Sequence, residues 1–192
     1  MANPHSIQDV FQQHLDSEEL PEPIRKIAKL IASGELSRGS FDELMASEGL
    51  SAPSHLKESL LDLILVFARK CIQDHELSEK EMSELWTLTT IFRIEEGDFY
   101  QLRPAVVQEI LTAQATRILE DRYVTKQEDI LQRNLQRVFG LSYDQYVTFL
   151  RPLVKQRIKQ LERMRLTTQN QDNLKSIESS IRNLRRIFLV SL

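Results

Sequence analysis

Residues 71–81 read CIQDHELSEKE, and how this stretch is read decides the fold. It holds one cysteine, one histidine and several acids. Taken as chemistry, it suggests a metal site or a cysteine–histidine pair. Taken as structure, it is the bend between two helices. The pattern from Leu77 onward favours the bend. Ser78 can accept hydrogen bonds from the open amides of a following helix. Glu81 stands three residues on, where its carboxylate reaches back to the cap's own amide and suits the positive helix end. Leu77 precedes the cap, as a hydrophobic staple requires, and Asp74 closes the turn before it.

The same arrangement recurs 47 residues later. Segments 68–99 and 115–146 align without gaps, with identities at Ala68/Ala115, Asp74/Asp121, Glu81/Glu128, Leu88/Leu135 and Phe92/Phe139. Conservative pairs include Leu77/Val124, Ser78/Thr125, Ile91/Val138 and Phe99/Tyr146. The matches fall on the helix entry and on the apolar stripe, where a helix pair needs them. Two such helix–turn–helix units can close one core between them.

Working outward, helical spacing runs through the chain and no stretch alternates with period two. Ser6 with Asp9 opens a first helix to about Leu15, and Pro21 and Pro23 break it. An amphipathic helix over Ile24–Ile31 stops near Gly34. Ser40 with Glu43 reads as a capping box for a short helix ending at Gly49. The apolar run LLDLILVFA predicts a central core helix from Ser54 to about Gln73. The helix capped by Ser78 should run to about Ile94. Gly97 and Pro104 frame a loop or short helix, and Pro104 opens the next one. Thr125 caps a helix that Gly140 ends. Ser142 with Gln145 starts a long helix that can continue past Pro152 with a kink. A last helix begins near Asn170. The expected fold class is all-α: a compact bundle with two repeated helix–turn–helix units, N-terminal helices and a C-terminal helical hairpin. The expected organisation is an N-terminal segment (1–52), a core (53–150) and a basic extension (151–192).

The chain is nearly neutral, at −3, but its charge is unevenly placed. Residues 1–150 carry 15 basic and 25 acidic residues, a net −10, whereas residues 151–192 carry 10 basic and 3 acidic, a net +7. Leu174, Ile177, Ile181, Leu184 and Phe188 alternate at spacings of three and four, a narrow coiled-coil-like seam. Arg182, Arg185 and Arg186 flank it. These eight residues are the candidate partner-binding set. The tail can fold back as a hairpin, pair with a second copy through the seam, or present its basic face to an anionic surface. A protein partner or self-association ranks first, and nucleic acid or an anionic membrane surface ranks behind; the interleaved aromatics that base stacking requires are absent, Phe188 standing alone. A single cysteine excludes an internal disulfide and fits a reducing compartment. The apolar run at Leu63–Ala68 is far shorter than the roughly 20 residues of a spanning helix. MANPHSIQDVFQQ shows no secretory pattern. A cytoplasmic protein is expected.

The repeated turn resembles that of the tellurite-resistance TerB-like helical domains, Asp-Gly-x-apolar-Ser/Thr-x-x-Glu used twice. Asp74-His-Glu-Leu-Ser-Glu-Lys-Glu81 and Asp121-Arg-Tyr-Val-Thr-Lys-Gln-Glu128 carry the resemblance, over about residues 60–150. His75 and Arg122 replace the family's glycine. The resemblance implies a stress-response assembly and makes Asp74, Glu81, Asp121 and Glu128 candidate ligands for a divalent metal. Read from the residues alone, 71–81 lacks the alternating oxygens and bend glycine of a calcium loop and the paired thiolates or imidazoles of a zinc site. Cys71 and His75, four apart, could face each other, but Cys71 aligns with Ile118, a core position where cysteine serves as a small hydrophobe. The expectation is a non-catalytic interaction or scaffold protein without a cofactor. The alternative is a divalent-metal-binding stress-resistance protein.

Overall fold

The computed structural model describes residues 5–50, 53–72, 77–120 and 133–188. Among them all regular structure is helical: α1 (Ile7–Ser17), α2 (Ile24–Ala32), α3 (Arg38–Ser47), a 3-10 turn (Pro53–Leu56), α4 (Lys57–Ile72), α5 (Glu79–Ile91), α6 (Asp98–Leu102), α7 (Pro104–Glu120), residues 133–138 of α8, α9 (Tyr143–Thr167) and α10 (Gln171–Phe188). The protein is all-α.

α4 is the centre. Leu60, Leu61, Leu63, Ile64, Leu65, Phe67, Ala68 and Cys71 are buried on nearly every side of it. Burying each of its large apolar side chains contributes roughly 1.5–3 kcal/mol. It packs on α1, α2, α5 and α7. Ion pairs fix its N-terminal half to the next unit: Lys57 Nζ lies 2.8 Å from Asp98, and Arg103 forks onto Asp62 while also reaching Glu58 at 2.7 Å.

The helix starts follow local chemistry. Ser6 Oγ accepts from the Asp9 N–H, although α1 runs on to Ser17. The Ser78–Glu81 and Ser142–Gln145 boxes form as expected. α3 differs. Its cap is Ser37, not Ser40, and the Ser40 hydroxyl takes the third-position role in a box with Ser37. Two serines three apart can each cap, and the earlier one gains a reciprocal partner.

Two helix ends are built alike at the same 47-residue offset. Arg93 and Gly140 both have φ 55°. The Ile94 N–H returns to Thr89 and the Leu141 N–H to Gln136. The following entries match too: the Glu95 N–H donates to Asp98, and the Ser142 N–H to Gln145. α5 therefore stops at Ile91, three residues short of the expected end, because Arg93 takes the left-handed conformation. The apolar stripes meet in one core, with Phe92 beside Phe41 and Phe139 beside Phe99.

α9 continues helically through Pro152. The carbonyl that proline leaves without a donor belongs to Thr148, an exposed position where water can serve it. The first half of α9 carries buried Tyr146, Val147, Phe149 and Leu150, and the helix packs on α7. Asn170 then caps α10, its side chain accepting from the Asp172 and Asn173 N–H groups. α10 folds back along α9 to form the hairpin.

Candidate interaction surface

Glu81 is only 2% exposed. Its Oε2 accepts from the Ser78 N–H at 2.8 Å and the Ser78 hydroxyl at 2.7 Å, and its Oε1 accepts from the His5 N–H at 3.1 Å. Both oxygens are thus occupied. The carboxylate stops a helix end and also anchors the segment ahead of α1, a contact across 76 residues that no local pattern announces. Asp74, His75, Glu76, Asp121 and Glu128 lie outside the described residues. Among the described residues no group of three or more His, Cys, Asp or Glu is placed to hold a metal. Burial, reinforced by the Glu81 carboxylate, pushes the Cys71 thiol far above its ordinary range. It stays protonated and serves as core, as its alignment with Ile118 predicts.

The seam of α10 faces inward. Ile177 and Ile181 are buried and Leu174 and Leu184 half-buried, while α9 contributes buried Val154, Ile158 and Leu161. Phe188 is the last residue of the helix, and its side chain lies outside the described residues. The three flanking arginines divide. Arg185 is half-buried and bridges to Glu162 at 2.6 Å across the hairpin. Arg182 and Arg186 are exposed.

α9 carries a feature that the composition alone does not display. Arg151, Lys155, Lys159 and Arg163 stand four residues apart and are all exposed. On a helix, neighbours at this spacing lie about 6 Å apart, so the four form a cationic ladder about 18 Å long. Glu162, the one acid of α9 beyond Pro152, is taken by Arg185. None of the four ladder residues is matched to a carboxylate among the described residues. At 100° per residue, Leu166 falls around the axis between Lys155 and Lys159, so it continues the same face. Leu166 is 81% exposed, and nearby Met164 is exposed as well.

Trp86 on α5 is 42% exposed, and the Arg137 guanidinium sits 5.5 Å from its ring centroid. Sequence spacing leaves Trp86 open between core and surface; the structure puts it at the surface, on a shallow depression with Ser83, Thr87, Thr90 and Ile91. Tyr143, Tyr146 and Phe149 follow the Ser142 cap at helical spacing, which suggests core; Tyr146 and Phe149 are buried, but Tyr143 is half-exposed. It occupies the first position of α9, where the helix has only begun to enter the bundle. Among the described residues no helix is long and apolar enough to cross a membrane. Comparison with family models, curated proteins and solved structures gave no match for this chain.

Proposed function

We propose that this chain is a non-catalytic helical interaction protein of the cytoplasm, and that the outer face of the α9–α10 hairpin is its binding surface. One observation carries the reading: the ladder Arg151–Lys155–Lys159–Arg163 is exposed and, among the described residues, paired with no carboxylate. Like charges one turn apart each destabilise a helix by about 0.2–0.5 kcal/mol. A bare charge run is usually just a solvated face. Here three successive like-charge contacts lie in a segment of net +7, residues 151–192, although residues 1–150 carry a net −10. An anionic partner would turn the repulsion into attraction. The α10 seam is occupied within the chain, so a second copy could use it only by opening the hairpin. The resemblance of the repeated turn to TerB-like domains supports a place in a stress-response assembly.

Retention of the full chain on immobilised heparin tests this. The native protein should be held at low salt, and the R151Q/K155Q/K159Q/R163Q variant should pass through with unchanged helix content by circular dichroism. Equal retention of the two would refute the proposal. The metal alternative would have to displace the three donors on Glu81. Calorimetric titration with calcium, zinc or manganese should accordingly give no binding heat.

A further inference from the structure

Resting on that reading, we propose that the hairpin docks on an anionic lipid leaflet. The ladder cations would meet headgroup phosphates, and Leu166 would enter the boundary between headgroups and acyl chains.

The exposed leucine selects this partner from the other anions. Leu166 is 81% exposed and in line with the cations, one turn beyond Arg163. Arg163, about 60° away around the helix axis, flanks it. A nucleic-acid backbone or an acidic protein face would satisfy the charges and leave the leucine wet. Base stacking would need aromatics on this face, and α9 beyond Pro152 has none. A leaflet satisfies both parts, since its surface attracts basic residues and its interfacial zone accepts apolar side chains. The wide apolar face of α9 is already buried against the bundle and α10, so insertion is confined to the turn end of the hairpin. Lys175, Arg182 and Arg186, exposed on α10, add positive charge to the same hairpin. The acidic body is repelled by the leaflet, which orients the hairpin toward it.

Each cation near such a surface strengthens partitioning by about fivefold, and insertion of one leucine by about tenfold or more. The test is flotation of the full chain with phosphatidylcholine vesicles, with and without about a quarter phosphatidylserine. The expected result is flotation only with phosphatidylserine, reversed by high salt, weakened by about fivefold for each ladder residue changed to Gln and by about tenfold in Leu166→Ser. These positions are exposed, so the variants should keep their helix content. Should the quadruple variant unfold, Leu166→Ser and the salt titration still decide. Flotation indifferent to Leu166→Ser overturns the proposal. So does ladder-dependent binding of an oligonucleotide or polyglutamate without vesicle binding. No flotation with heparin retention intact overturns the lipid assignment and leaves the wider reading standing; loss of both overturns both.

Discussion

Gly140 and Arg93 solve one backbone problem with different residues. Both sit at φ 55° just past a helix end, where an L side chain costs about 1–2 kcal/mol. Gly140 has a second constraint, since a Cβ there would stand 3.3 Å from the Glu96 Cα. Gly140→Ala should therefore destabilise the protein by about 1–2 kcal/mol and lower Tm by roughly 3–8 °C, read by thermal circular dichroism. Glu84 yields a pH prediction. Its Oε2 is buried with no hydrogen-bond donor among the described residues. Burial raises its carboxyl above the ordinary range; Lys80 opposes that rise, and Glu81 adds to it. The folded chain thus holds this proton more tightly than the unfolded chain, so the contribution of Glu84 to stability falls as pH rises through its titration. Glu84→Gln should raise Tm at neutral pH, and the gain should vanish below about pH 4, where a glutamate is protonated in both states. A gain independent of pH would show that charge is not the cause. Ser78→Ala removes one side of the box around Glu81 and should cost about 1 kcal/mol, measurable by urea unfolding.

Legibility at the scale of elements followed the range of the forces involved. The boxes at Ser78 and Ser142 are local, and spacing alone revealed them. α3 was displaced because Ser37 and Ser40 are chemically equivalent as caps. α5 was overextended because its left-handed terminator is an arginine, where sequence reading looks for glycine. The α10 seam was visible as alternating threes and fours, but its partner was not. Whether Ile177 and Ile181 face α9 or another chain depends on the short Thr168–Asn170 turn. The ladder was printed at period four in the sequence, yet only the fold shows that Glu162, the one acid of α9 beyond Pro152, is engaged by Arg185. The Glu81–His5 contact joins segments too far apart for any local pattern. Because α10 packs chiefly on α9, whereas α4 packs on several helices, the amides of α10 should exchange through a partial opening, well before those of α4, which should exchange only on global unfolding. Ile158→Ala, at a buried position of the hairpin, should cost about 2–4 kcal/mol and speed exchange in α10 first.

At the scale of the whole molecule the protein is an electrostatic pair: an acidic helical body built around α4, and a basic hairpin carrying a row of cations that no carboxylate among the described residues pairs. The body owes its stability to burial, and the exposed face of the hairpin gives up some helix stability to stay charged. Removing the ladder should therefore raise stability and abolish anion binding together. Thermal unfolding with and without heparin reads this directly. Heparin should raise the Tm of the native chain, since a ligand of the folded state stabilises it. R151Q/K155Q/K159Q/R163Q, freed of three like-charge contacts, should melt higher than the native chain by itself and show no heparin shift. Equal shifts in both proteins, or no shift in the native one, would rule out the ladder as the binding surface.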